Sequence, residues 1–438
     1  MKLPTLEWTN SGLTDAALST AEAQLAPELE RLRQAAGTLY DDDRASMNLP
    51  LDTHHLTICK KLAKKHAHAS LVVVVGIGGS NLGTLAVTNA VLGVHHNLEA
   101  NKGPILLCAD TVDPHQMART ARIVDDYLKR KKHVVINAIS KSGGTTETIA
   151  NFEIFLDLLK RHKRDPTLHV VITSDEDSRL TASARDQGFD TLPIPKKVGG
   201  RYSVFSPVGL FPLALAGIDI DALLDGAAHM RAQCLKTAHG ENPAAIRAAM
   251  LALARASNRN IADHFVFASD LESVGKWYRQ LMGESIGKEW NATHDTRVWM
   301  GITPTVSIGS TDLHSMAQLY FGGPNDKIFT ILTVKRWEST IAVPRIDTYD
   351  ALVPHIQGKK LSVIMDAIVL GTKSVFAQQQ RPYCSIELPD VSAASIGALL
   401  QLHMMEMMML AALLGVNPFD QPNVEAYKVE TKAALAKR

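Results

Sequence analysis

The chain has 438 residues, 46% of them hydrophobic, enough for two or three domains with sizeable buried cores. Its 46 basic and 45 acidic side chains leave a formal charge of +1, and no long basic run marks a nucleic-acid footprint. Cys59, Cys108, Cys234 and Cys384 are too far apart for a zinc site or a disulfide framework, which fits a soluble protein of a reducing cytoplasm.

The first residues, MKLPTLEWTNSG, lack the apolar core of a signal peptide. Residues 13–38, rich in Ala and Leu with Glu and Arg, have a helix-forming composition and are expected to cap the main body. A regular alternation follows. Short β-branched runs stand at LVVVV (71–75), PILLC (104–108), HVVINAI (133–139) and LHVVITS (168–174), each succeeded by a polar loop and a stretch of helical spacing. Uniformly apolar strands separated by helices indicate a parallel sheet covered on both faces.

Two of the loops leaving these strands are unusual. VVVVGIGGSNLG (72–83) begins a dinucleotide-type pattern with Gly76 and Gly78 but has Asn81 at its last glycine position. It is no Walker loop either, because Gly83 is followed by Thr84 and Leu85 rather than Lys and Ser or Thr. A tight strand-to-helix turn, with Ser80 serving a phosphate or sugar site, fits better. SKSGGTTET (140–148) places five hydroxyls and two glycines where a helix begins. A helix cap needs one hydroxyl or two. Free amides at a helix start, glycines that admit an anion closely and extra hydroxyl donors together suit a phosphate monoester.

Helix-rich residues 208–260 precede a second series of runs: HFVFAS (264–269), TVSIGS (305–310), IFTILTV (328–334) and YCSIEL (383–388). The fold class expected is α/β with two doubly wound parallel-sheet domains. Their ligands would sit at the carboxyl ends of the strands. The expected division is a helical N-terminal cap (1–68), a first α/β domain (69–207), a helical connector (208–260), a second α/β domain (261–425) and a C-terminal tail (426–438). Near the end, MMEMMMLAALLG is preceded by Gln401 and His403 and contains Glu406, so it reads as a buried helix, too short and too polar to span a bilayer.

Six segments, GIGGSNLG, SKSGGTTET, VGGRYSVFSPVGLFP (198–212), QLMGESIGKE (280–289), GSTDLHSMAQLYFGGP (309–324) and NPFDQPNVEAYK (417–428), occur in the order seen in the glucose-6-phosphate isomerase family, which the chain resembles from about residue 70 to 430. The resemblance implies two sugar-isomerase domains, no cofactor and no metal. It also implies reversible isomerisation of glucose 6-phosphate and fructose 6-phosphate in glycolysis and gluconeogenesis, by a cytoplasmic homodimer with no nucleic-acid or membrane partner.

By the same resemblance, Gly79, Ser80, Ser140, Lys141, Ser142 and Thr145 would hold the phosphate end, with Gln280 and Gln421 on the sugar. Glu284 would be the acid/base that moves a proton between neighbouring carbons through a cis-enediol, a task best done near neutral pH by a carboxylate in a partly dry site. Gln280, four residues earlier, would share its helix face; a plain surface pair of Glu284 with Lys288 is the bland alternative. Arg201, backed by Gly200, would face the developing enediolate. His314, contributed by the neighbouring subunit and oriented by Glu147, would open the ring with Lys428. Tyr427 stands where the family commonly has Gly, Asn423 also where Gly is common, and Leu313 where Gln is frequent. A dual glucose/mannose or other phosphosugar isomerase, and a non-catalytic sugar-phosphate sensor, are the competing readings. The sensor would need the phosphate loop but not the four charged groups together.

Overall fold

The structure, a computed structural model, describes residues 1–99 and 103–437. A short strand, β1 (Thr5–Glu7), leads to a helix over Asp15–Ala36 that is capped by Thr14, carries Pro27 within it and closes at Gly37. The first sheet then forms from β2 (Leu71–Val75), β3 (Ile105–Ala109), β4 (Val134–Ile139), β5 (Val170–Ser174) and β6 (Asp190–Pro193), all parallel in the order β3-β2-β4-β5-β6. Every residue of β2, β4 and β5 is buried. Alternate side chains serve two cores: Val73 and Val75 pack with Phe155 and Val124, whereas Val72 and Val74 join the cluster containing Leu210 and Phe211. This two-sided burial is why the runs are apolar throughout rather than alternating.

The second sheet contains β7 (Ile261–Val266), followed by a two-stranded antiparallel excursion of β8 (Lys288–Trp290) and β9 (Arg297–Met300), and then β10 (Thr303–Ile308), β11 (Lys327–Val334) and β12 (Tyr383–Leu388). Its order is β1-β12-β11-β7-β10, with β1 antiparallel at the edge and the other four parallel. The N-terminal cap thus contributes a strand to the second sheet, and the C-terminal residues form a helix, Val424–Ala436, that crosses the expected boundary at residue 425.

The Met-rich stretch is the second half of a 22-residue helix, Ala393–Leu414, capped by Ser392 and ended by Gly415 in the left-handed region. Read whole, the helix is long and apolar enough to cross a membrane, which corrects the expectation that it is too short and too polar; 89% of its apolar window is buried inside the protein. Gln401, His403 and Glu406 are fully buried in it. Glu406 accepts hydrogen bonds from both Nε and Nη2 of the buried Arg247, from Tyr278 and from His403, so the charges are paired. A second helix of such length, Leu361–Gln378, is half exposed and fully buries only Thr372 and Phe376.

Candidate active site

At the carboxyl ends of β2, β4 and β5, the loops after the strands meet the helix Glu272–Ile286 and the segment around residues 417–428. Together they enclose a cleft of about 650 Å3. The sequence puts two close approaches here. The loop after β2 crosses the Gly200–Tyr202 turn so tightly that a Cβ on Gly79 would lie 2.2 Å from the carbonyl carbon of Gly200. Gly78, at φ +62°, passes beside the Gln280 amide, where a Cβ would lie 2.9 Å from Nε2. Glycines at 78 and 79 are therefore what lets the loop after β2 touch Arg201 and Gln280.

Arg201 is buried and every nitrogen of its guanidinium is engaged. Nε donates to Ser285 Oγ at 2.9 Å, Nη1 to Glu284 Oε2 at 3.1 Å and to Gln421 Oε1 at 2.7 Å, and Nη2 to the carbonyls of Pro418 and Asp420. Gln280 Nε2 donates to the other carboxylate oxygen, Glu284 Oε1, at 2.9 Å, and leaves its own buried Oε1 without a partner. Lys288 does not pair with the Glu284 side chain. Its ammonium bonds the Glu284 carbonyl and the carboxylate and carbonyl of Asp420, and burial pushes its affinity for a proton down. Glu284 is thus fixed by one cation and one amide while its carboxyl group borders the cleft.

Across the cleft, Thr145 caps the helix Thr146–Arg161 without its side chain taking up a first-turn amide, so those N–H groups stay free. Its Oγ1 instead lies 2.9 Å from Ser140 Oγ. Ser140 is buried and does not line the cleft; it stands behind Thr145, whereas Lys141, Ser142, Thr145, Gly79 and Ser80 line it directly. The Lys141 ammonium makes no hydrogen bond or ion pair among the described residues. Burial lowers its proton affinity, and Asp175 and Asp43 counter that by attraction. An unpaired cation, free helix-start amides and several hydroxyls compose an anion site.

The structure therefore gathers Arg201, Gly200, Glu284, Gln280, Gln421, Lys428 and the serine–threonine loop around one cavity. Lys428 lines it, with its ammonium 2.6 Å from Glu425 Oε1, and Tyr427 lines it beside them. His314 is exposed at the end of the Thr311–Leu313 turn and does not line the cavity, and it shares no hydrogen bond or ion pair with Glu147 among the described residues. Asp175, Asp177, Ser178 and Lys196, which sequence reading passed over, also form the wall. They follow β5 and β6, and the rule that ligands sit at the carboxyl ends of strands could have pointed to them.

Residues 60–437 match the family model described as phosphoglucose isomerase. A glucose-6-phosphate isomerase of Rubrobacter xylanophilus is 36% identical over 418 residues, covering 93% of this chain and 92% of that protein. One from Carboxydothermus hydrogenoformans is 36% identical over 371 residues, covering 83% and 78%. Among solved structures, a hypothetical protein of Thermus thermophilus superposes with a TM-score of 0.87 at 31% identity over 99% of this chain and 100% of that one. A glucose-6-phosphate isomerase of Chlamydia trachomatis superposes with a TM-score of 0.82 over 99% and 88%; its 19% identity speaks to the fold alone.

Proposed function

The chain belongs to the phosphoglucose isomerase family, and from that premise we infer that it interconverts glucose 6-phosphate and fructose 6-phosphate, with Glu284 carrying the proton between C1 and C2. The observation that carries the assignment of roles is the Glu284 carboxylate, held between Arg201 and Gln280 on the wall of a cleft whose opposite wall is an anion site. A hexose phosphate gripped at its phosphate by Ser80, Lys141, Ser142 and Thr145 would reach across to that carboxylate with its other end. Binding energy at the phosphate then positions the reacting carbons, where small misplacements are costly.

Once the ring is open, Glu284 takes the C2 proton of the aldose, and the electron pair moves to form the C1–C2 enediol. The C1 carbonyl oxygen takes up a proton as the enediol forms; the C2 hydroxyl then gives up its own proton to become a carbonyl while the carbon-bound proton returns to C1, which yields the ketose. Negative charge gathering on the sugar oxygens during these steps is met by Arg201, whose fixed guanidinium needs no reorganisation. The orphaned Gln280 Oε1 is an acceptor suited to a sugar hydroxyl. Lys428 assists ring opening on leaving Glu425, and no step calls on a metal or organic cofactor.

His314 completes the site from a second copy of the chain. Supporting this reading is the exposed apolar surface of the second domain, including Leu352, Leu361 and Leu370, which is 67% exposed. A monomer that left this surface in water would carry a patch of the kind that marks an interface.

Glu284→Gln keeps the shape and hydrogen-bonding capacity of the side chain but removes the base. Turnover of fructose 6-phosphate is expected to fall by roughly a thousandfold, while substrate still binds and solvent deuterium no longer enters at C2. Undiminished isotope incorporation in that variant would remove Glu284 from the proposal.

A further inference from the structure

At the opposite, amino-terminal edge of the second sheet lies a separate cleft of about 470 Å3. Two arginines reach its wall through the same local device. Asn258 and Gln380 end their helices in the left-handed region, and the next residue in each case, Arg259 or Arg381, donates its backbone N–H to the carbonyl five residues back, Ala254 or Phe376. Asn10, Ser11, Ser257 and Gln380 complete much of the lining with amide and hydroxyl groups, and no carboxylate lines it among the described residues.

The guanidinium groups are short of acceptors. Arg259 makes no side-chain hydrogen bond or ion pair among the described residues, and its Nε is buried without a partner. Arg381 gives Nη2 to the carbonyls of Phe321 and Gly323, both at 2.7 Å, yet its Nε is also buried and unpartnered. Asp326, whose carboxyl group feels the charge of Arg381, is bonded to the Lys327 ammonium. Buried N–H donors that lack acceptors carry a desolvation penalty, and cationic donors carry the larger one. Two such cations facing one polar cavity are a receptor for an anion that brings several acceptor oxygens at once.

We propose that this cleft is a second ligand site, distinct from the active site, that binds a small phosphate-bearing dianion between Arg259 and Arg381. A phosphate dianion matches the two positive charges, and its terminal oxygens can take the unbonded terminal N–H groups of Arg259 and Nη1 of Arg381 while the neighbouring hydroxyls and amides bind the remainder. Arg381 also ends the helix Ala317–Gly322, which begins three residues after His314, so the site is tied to the segment that carries that histidine.

The test is equilibrium dialysis of the full chain against labelled inorganic phosphate in phosphate-free buffer, with the unaltered protein, Arg259→Gln and the triple variant Ser140→Ala, Ser142→Ala, Thr145→Ala side by side. Two phosphates per chain are expected for the unaltered protein. Arg259→Gln should keep its turnover and the active-site phosphate but bind the other at least tenfold more weakly. The triple variant should show the reverse pattern, retaining the site that Arg259 holds. Phosphate binding that Arg259→Gln leaves undiminished, whether one or two are bound per chain, overturns the proposal. Neither result would disturb the isomerase assignment, which rests on other residues.

Discussion

Arg201 concentrates more of the site's geometry than any other residue. It ties Glu284 from the second domain's helix, Gln421 and the carbonyls of Pro418 and Asp420 to a turn that packs on Gly79. A lysine would keep the charge but offer three donors from a single point instead of a planar fork. Arg201→Lys is therefore expected to lower kcat by roughly a hundredfold or more with a much smaller change in KM, because the phosphate grip lies elsewhere. Steady-state kinetics on fructose 6-phosphate, paired with a melting curve to show that the variant folds, would measure this. A kcat within a few-fold of the parent would leave Arg201 a scaffold only. At this scale the sequence was readable where residues stand inside dense motifs: Glu284, Gln280, Arg201 and the hydroxyl loop all came together as expected. Lys196, Asp175, Asp177 and Ser178 were not, because isolated polar residues in loops look like ordinary solvated surface until the fold folds them inward. Ser140, expected among the phosphate ligands, lies buried one layer behind Thr145, a difference that no sequence pattern encodes.

Among the elements, the apolar runs announced the strands, since two-faced burial leaves little choice of residue. The missed strands are short or polar: β1 has three residues, β6 is DTLP, and β8 and β9 pair only with each other. The strands of the first sheet also share a feature at their amino ends. His66, His68, His133 and His169 stack there, with His66 Nδ1 at 3.1 Å from His133 Nε2 and ring centroids of His68 and His133 4.1 Å apart. Asp190 lies 3.7 Å from His66 and pairs with Lys65, Arg164 adds positive charge, and His169 Nδ1 donates to the Val134 carbonyl. Burial, reinforced by the neighbouring histidines and Arg164, pushes His133 down to about 3 from the ordinary 6.5, and burial also lowers His66 and His169. The unfolded chain then binds more protons than the folded one between about pH 6.5 and 3, so stability is complete above that window and drains away as the pH falls through it. Melting temperature should therefore drop by several degrees between pH 7 and pH 5, and His133→Phe, which removes the most strongly shifted ring, should flatten that slope. Equal slopes in the two proteins would exclude the stack as the acid-sensitive element.

On the scale of the whole molecule, two series of apolar runs separated by helical stretches were enough to indicate two parallel α/β sheets with ligands at the carboxyl ends of their strands. What one chain cannot display is a contact made by another. His314 stands on the surface outside the Glu284 cleft, in the domain whose helix Leu361–Gln378 leaves Leu361, Val363 and Leu370 in the open. If His314 acts in the partner's cleft, two crippled chains should repair each other. Glu284→Gln retains a good His314 and His314→Ala retains a good Glu284, so a mixed dimer of the two contains one complete site and one doubly broken one. Unfolding the two variants together and refolding them in equal amounts makes about half of the dimers mixed by random pairing, and since only one of their two sites works, about a quarter of the parent activity should return. Either variant refolded alone should stay near its own low level. If the mixture gives only the mean of the separate activities while sedimentation shows that the chains have paired, His314 serves its own chain or none, and the site is complete within one subunit.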